Sequence, residues 1–228
     1  MKKATSKIVM AIVALVIALG LATGTTFAWF SMNTTVSVTG MSVTARSDAV
    51  NLVISNAAAG TYGTSASAAA ASKTVYPVKA TLSGTAITWE IGSSSSPDES
   101  MADVAYSTIA ESAVIADTDG FALMNKFYVK NSSLQPATNL RIKSLSVDGT
   151  SAFSTALRVL VVGTAGAEIV SDGNIGGTVL ATTVTNEPVE LKVYVYYDGD
   201  DSSVITNYVG TLGAMSVSIT FEVDDPSA

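Results

Sequence analysis

The closing segment of the chain alternates between apolar and polar residues at every second position. Met215, Val217, Ile219, Phe221 and Val223 share one parity, and serine, threonine or glutamate occupies the positions between them. A period of two places alternate side chains on opposite faces of a β-strand, so one face of this strand is apolar. Because that face has to be buried, the pattern favours sheets that pack face to face.

Several other segments have the same β character and are separated by turn residues: 49–55, 85–91, 121–130, 140–143 and 189–197. The segment 156–162 is apolar on both parities apart from Arg158, which is typical of a central strand. The sequence therefore predicts an all-β fold, an antiparallel two-sheet sandwich of the jelly-roll type, in which each sheet buries one face.

Two stretches carry weaker signals. Residues 57–72 consist of Ala, Gly, Ser and Thr around Tyr62, and the glycines and serines favour a loop over a helix. Residues 101–115 fit neither period, so we expect a short helix or a mixed segment there. Trp89 lies within a strand-like segment and is expected to be a core or rim anchor.

The N-terminus is organised like a secretory signal peptide, which we expect to form a helix. Three lysines within the first seven residues precede fifteen uncharged residues, 8–22. The segment then reaches two small residues, Thr26 and Ala28, at the spacing that a signal peptidase recognises. We expect residues 1–28 to be removed, so that the mature chain begins at Trp29. The alternative is a retained membrane anchor, although the uncharged run is shorter than the ~20 residues that span a bilayer.

A further strand-like segment follows the predicted cleavage site. Residues 33–38 alternate β-branched residues with serine and threonine until Gly40 interrupts the pattern. A free strand with an apolar side can add to the open edge of another sheet through main-chain hydrogen bonds. We expect residues 29–40 to be a donor strand and its joint, Gly40, ahead of a sandwich domain at 41–228. An ordinary first strand with a bulge at Gly40 is the alternative. We assign the apolar contacts of this strand to Trp29, Phe30, Val36 and Val38.

The mature chain is strongly acidic. Removal of residues 1–28 takes away three of the twelve bases and none of the nineteen acids, so nine bases remain and the net charge is −10. An acidic surface repels phosphate backbones and anionic lipids. We therefore expect no nucleic-acid partner, and membrane contact only through the N-terminal segment before cleavage. Export predicts an extracellular location.

The sequence contains neither cysteine nor histidine. An exported domain without disulfides has to be held by its core, which 200 residues can supply. The absence of histidine removes the usual general base, the usual activator of a nucleophile and the commonest zinc ligand. We therefore predict no catalytic residue and no cofactor, and we do not expect an enzyme.

Asp198, Asp200 and Asp201 are weak candidates for metal ligands. Their charge density resembles that of a calcium loop, but the rest of the EF-hand pattern is missing. Acid-and-glycine runs between strands are usually solvated turns, so we predict no metal site. The nearby tyrosines could stack on a sugar, but aromatic residues are also normal in strands, and we favour that interpretation: Tyr194, Tyr196 and Tyr197.

The junction Thr-Thr-Phe27-Ala-Trp-Phe-Ser31 resembles the signal-to-mature boundary of the TasA/camelysin family. These are surface and biofilm-matrix proteins of Gram-positive bacteria that are released by a SipW-type signal peptidase. Further stretches are similar to members of that family: Phe127-Tyr-Val-Lys-Asn-Ser-Ser, Asn139-Leu-Arg-Ile-Lys-Ser-Leu, Leu191-Lys-Val-Tyr-Val-Tyr-Tyr-Asp-Gly-Asp-Asp and Val217-Ser-Ile-Thr-Phe-Glu-Val. The order of these stretches in one chain is more specific than any of them alone. Residues 57–115 lie outside the resemblance.

The resemblance implies export, a jelly-roll domain and head-to-tail assembly into fibres. In such fibres the mature N-terminal strand of one subunit completes the sheet of the next, which assigns residues 29–39 as the donor strand and Gly40 as the joint. The implied partners are further copies of the chain and, during export, the signal peptidase. A metallopeptidase activity, attributed to camelysin, is not supported because histidine is absent. The alternative function is a monomeric, membrane-tethered surface adhesin or carbohydrate-binding module.

Overall fold

The computed structural model describes residues 41–46, 50–68, 74–93, 105–115, 119–149, 156–201, 210–211 and 215–224. All of them belong to one compact unit, residues 36–228. The predicted signal peptide and its cleavage site lie outside the described residues, as do the donor strand 29–39 and Gly40.

The described residues form sixteen strands and one short helix. The strands are β1 (Met41–Arg46), β2 (Leu52–Ser55), β3 (Ser65–Ala68), β4 (Thr74–Val75), β5 (Lys79–Ser83), β6 (Ala86–Ser93), β7 (Ala105–Ile109), β8 (Asp119–Gly120), β9 (Ala122–Asn131), β10 (Ala137–Gly149), β11 (Leu157–Val162), β12 (Ala167–Val170), β13 (Ala181–Val184), β14 (Val189–Tyr197), β15 (Gly210–Thr211) and β16 (Met215–Asp224). The helix is α1 (Glu111–Val114). The all-β prediction is confirmed for the described part of the chain.

Two five-stranded sheets form the body of the domain. Sheet A has the order β13-β10-β16-β1-β3, and sheet B has the order β12-β11-β14-β9-β2. Pairing within both sheets is antiparallel except between β1 and β16, which run parallel from Met41 opposite Val217 to Arg46 opposite Glu222. The expectation of purely antiparallel sheets is therefore wrong at this pair. A parallel pair needs a long connection, and here most of the domain separates the two strands.

The apolar faces of sheets A and B meet in the main core. Phe127 and Leu191 come from sheet B, Ile219 and Phe221 from sheet A, and each is at most 1% exposed. The inward positions of β16 are those that the alternating sequence pattern marks as apolar, from Val217 onwards. Sequence periodicity thus predicts correctly which face of this strand is buried.

A third layer covers the outer face of sheet B. The sheet β5-β6-β7 and helix α1 pack on that face and form a second core with side chains of β11 and β14. Trp89 from β6 and Tyr194 from β14 are 2% and 0% exposed there. Sheet B is consequently buried on both faces in this region, so the expectation of one buried face per sheet is wrong for it. This layer also explains why residues 156–162 are apolar on both parities.

Two weakly predicted segments take on definite structure. The Ala/Ser-rich stretch predicted as a loop contains β3, which pairs with β1 through four residues on each strand. Tertiary pairing overrides the weak local preference of this segment. The segment 101–115 contains β7 and α1, and so is mixed as predicted. Elsewhere, β4 lies between β15 and β8 in a small separate sheet. Across the described ranges, no helix combines the length and apolar character required to span a bilayer.

Candidate functional site

Strand β1 fixes the N-terminal part of the domain to its own sheet. It begins one residue after Gly40 and lies inside sheet A, with β16 on one side and β3 on the other. Val43, at the middle of the strand, is fully buried in the main core. Any pulling force on the residues before β1 would therefore act on a strand that is hydrogen-bonded along both edges.

The edge strands of the sandwich are β3 and β13 in sheet A, and β2 and β12 in sheet B. Within the described residues, β3 pairs along one edge with β1, and β13 pairs along one edge with β10. Beside β3, the amide of Asn56 donates to the Ser67 carbonyl at 2.9 Å. Ile54 of β2 and Gly63 exchange two backbone hydrogen bonds, of 2.7 and 3.0 Å, which link the edge of sheet B to the segment before β3.

Among the described residues, one large apolar side chain is fully exposed. Leu134 lies in the turn between β9 and β10 and is 103% exposed. The turn is held by the amide of Asn131, which donates to the Gln135 carbonyl at 2.6 Å, and by the Ser133 N–H, which donates to the Asn131 amide oxygen at 2.8 Å. The sequence places turn residues between the strand-like segments 121–130 and 140–143, but it does not single out Leu134.

The three candidate aspartates lie in the turn after β14 and are matched by side-chain cations. Arg158 Nε lies 3.2 Å from a carboxylate oxygen of Asp198, and its Nη2 lies 3.4 Å from one of Asp201. Lys79 Nζ lies 2.9 Å from Asp200. Because these cations already compensate the carboxylates, the turn offers a metal ion little uncompensated charge. Within the described ranges, no group of three or more metal-ligating side chains is arranged to hold an ion.

Asp200 also accepts a hydrogen bond of 2.5 Å from the hydroxyl of Tyr106, which lies on β7. Burial opposes ionisation of Asp200, but the hydrogen bonds from Tyr106 and Lys79 outweigh it and lower the pKa of the carboxyl. Burial, together with the bond to this carboxylate, raises the pKa of Tyr106 to about 12. The turn therefore joins β14 of sheet B to the third layer through a charged network.

The tyrosines of β14 are core residues. Tyr194, Tyr196 and Tyr197 are at most 2% exposed, so their rings cannot stack on a sugar, and the prediction that they are ordinary strand residues is confirmed. The Tyr194 hydroxyl donates to the carboxylate of Glu111, to which Lys192 also lies at 3.3 Å. The hydrogen bond from Tyr194 is the main reason that the pKa of Glu111 is lowered.

The outer face of sheet A carries hydroxyl side chains across four neighbouring strands. Ser65 of β3 lies opposite Thr44 of β1, Thr44 lies opposite Thr220 of β16, and Thr220 lies opposite Ser144 of β10. This row was not apparent in the sequence, because its members come from four separate segments. It forms a polar surface that can accept and donate hydrogen bonds.

No protein-family model, no curated protein and no solved structure matches the chain.

Proposed function

We propose that the protein is an exported structural subunit that polymerises by donor-strand exchange into fibres of the cell surface or biofilm matrix. In this proposal the sandwich is of the jelly-roll type, residues 29–39 are the donor strand, and Gly40 is the joint. The observation that carries the proposal is the position of β1. A donated strand has to be anchored in its own subunit, and β1 supplies that anchor because it is paired along both edges in the middle of sheet A.

The donor strand offers apolar side chains in a strand pattern. Phe30, Val36 and Val38 share one parity, and Trp29 adds a large anchor beside them. Each buried side chain of this size contributes ~1.5–3 kcal/mol, so a few of them can hold a contact between subunits. A head-to-tail contact of this kind does not close on itself and grows into a filament. Gly40 lets the strand leave its own domain because glycine adopts backbone angles that other residues avoid.

Sheet A provides the acceptor. Its two edge strands, β3 and β13, are each paired along one edge within the described residues, and a donated strand can add to the other edge. The main core is formed jointly by both sheets, so a subunit that receives a strand extends an already folded structure.

Deletion of residues 29–39 from the mature protein tests the proposal. The truncated protein should remain folded by circular dichroism but form no filaments in negative-stain electron micrographs, and a peptide with the sequence 29–39 should bind to it. Replacement of Val36 and Val38 by serine should also abolish filaments, because it removes two of the three apolar side chains assigned to that face. As a matched control, replacement of Thr35 and Ser37 by alanine changes the other parity and should leave filaments intact. Filaments formed by the truncated protein would disprove donation by this strand.

The alternative is a monomeric, membrane-tethered surface adhesin or carbohydrate-binding module. The hydroxyl row on the outer face of sheet A favours this second candidate, because hydroxyl groups can hydrogen-bond to polysaccharides. Size-exclusion chromatography of the mature protein separates the two candidates. A protein that stays monomeric at high concentration, and that loses polysaccharide binding on replacement of Thr44 and Thr220 by valine, would be the module.

A further inference from the structure

A buried carboxylate lies on the edge strand of sheet B. Glu168 belongs to β12, is 5% exposed, and pairs in register with Val161, a residue of the main core. Its side chain is therefore on the inward face at the open side of the sandwich. Nothing in the sequence singles out this residue, because the backbone groups that hydrogen-bond to it lie 8–10 positions away.

Three backbone N–H groups converge on this carboxylate. One oxygen accepts from the N–H groups of Gly176 and of Gly177, the latter at 2.9 Å, and the other oxygen accepts from the N–H of Thr178 at 3.0 Å. Consecutive N–H groups that point to one place form a concavity that favours an anion. Hydrogen bonds to an ionised acceptor are about twice as strong as neutral ones, so they offset the cost of burying the charge.

The segment that supplies these groups folds back along β12. Ser171 and Asn174 exchange backbone hydrogen bonds of 3.3 and 3.0 Å, which reverses the chain. The Ala165 N–H then donates to the Leu180 carbonyl at 2.9 Å. Residues 176–178 are thus held against the Glu168 side chain and residues 179–180 against the turn at 163–166, so the segment crosses the open side of the sandwich beside β12.

Two glycines make this close approach possible. A Cβ at Gly166 would lie 2.6 Å from the Val179 carbonyl oxygen, so a larger residue there would push the segment away. Gly177 has a φ of +79°, which favours glycine. Leu180 then enters the main core with no exposed surface and fixes the far end of the segment.

We propose that Glu168 is a latch that holds residues 171–180 over the β12 edge of sheet B and keeps a second copy of the chain from pairing there. An uncovered edge strand is a template for pairing with another chain, and inward-pointing charge and covering loops are two ways in which proteins prevent this. The latch does not depend on the fibre proposed above, because that fibre uses the edges of sheet A.

Glu168→Gln is the decisive variant. Glutamine has the same shape, but it places an NH₂ group where one carboxylate oxygen now accepts a hydrogen bond. We expect hydrogen-exchange protection of the Gly176, Gly177 and Thr178 amides to fall by at least about tenfold. We also expect the variant to form concentration-dependent dimers in size-exclusion chromatography. Both measurements should be made with Val36 and Val38 replaced by serine, so that association through the proposed donor strand does not contribute. Glu187→Gln, in the exposed turn after β13, is the matched control and should change neither measurement.

If Glu168→Gln does not fold, Gly176→Ala is a second variant that should release residues 171–180 from β12. The added Cβ would lie 2.9 Å from the Glu168 carboxylate oxygen and should displace the segment while the charge remains. Loss of amide protection together with dimer formation supports the latch. A folded variant that keeps its amide protection, or that loses it and stays monomeric, overturns the proposal. Neither result bears on filament formation by the unmodified donor strand.

Discussion

Trp89 meets the ring of Tyr196 edge to face, with the ring centroids 5.4 Å apart and an interplanar angle of 82°. Tyr194 packs on the same indole, with the ring centroids 5.5 Å apart. Trp89 belongs to the third layer and the tyrosines to sheet B, so this cluster joins the two layers. Aromatic pairs in such geometries are worth ~0.5–1.5 kcal/mol beyond the area that they bury.

We expect Trp89→Ala to reduce the free energy of unfolding by ~3–5 kcal/mol, because it removes the largest side chain of the second core. Trp89→Phe should cost less. Among the described residues the indole Nε1 has no hydrogen-bond partner, so this replacement breaks no hydrogen bond. Urea unfolding monitored by circular dichroism measures both effects. The control is Leu134→Ala at the fully exposed turn, which should change the stability by less than ~0.5 kcal/mol. If Trp89→Ala and Leu134→Ala lowered the free energy of unfolding equally, the burial of Trp89 and the exposure of Leu134 would be contradicted.

Acid should weaken the contact between α1 and sheet B. The folded protein lowers the pKa of Glu111 below its ordinary value of 4.5, chiefly through the hydrogen bond from Tyr194. A carboxyl group whose pKa is lower in the folded than in the unfolded protein stabilises the fold at pH values above its unfolded pKa. That stabilisation is lost as the pH falls through the folded pKa. We therefore expect the wild type to be more stable than Glu111→Gln at pH 7, and the two unfolding curves to converge as the pH falls below 4.5. Tyr194→Phe should reduce the same pH dependence, and a difference that stays constant with pH would be contrary to this expectation.

Chelator should leave the melting temperature nearly unchanged. Arg158 and Lys79 already pair with Asp198, Asp200 and Asp201, so the turn does not need a metal ion to offset its charge. A site holding a cation at 100 times its dissociation constant would add ~2.7 kcal/mol of stability. Differential scanning calorimetry with EDTA, and then with excess Ca²⁺, makes the measurement. A drop of several degrees on adding EDTA would reveal a metal site at this turn.

Export should remove residues 1–28. Intact mass and N-terminal sequencing of the exported protein are expected to show a chain that begins at Trp29. Ala28→Asp should block cleavage because a charged side chain does not fit the shallow apolar pocket of a signal peptidase. Phe27→Leu, between the two small positions, should be cleaved normally. An exported product that retains Met1 would support the membrane-anchor alternative.

Local sequence pattern determined the β class of the domain and seven of the sixteen described strands, namely β2, β6, β9, β10, β11, β14 and β16. The predicted strand 189–197 coincides with β14, and the alternation of 215–223 marks the buried face of β16. These predictions succeed because a period of two depends on residues that are neighbours along the chain. The predictions for the signal peptide, the donor strand and the function derived from them remain predictions.

Tertiary structure decided which strands pair and what covers each sheet. The parallel pairing of β1 with β16, the inclusion of β3 in sheet A, and the third layer on sheet B all depend on residues far apart in sequence. The latch at Glu168 is of the same kind, since an isolated glutamate in an edge strand gives no sign of the three N–H groups that surround it. Periodicity indicates that a face is buried, but only long-range packing selects the partner, because many apolar surfaces could satisfy the same hydrophobic face.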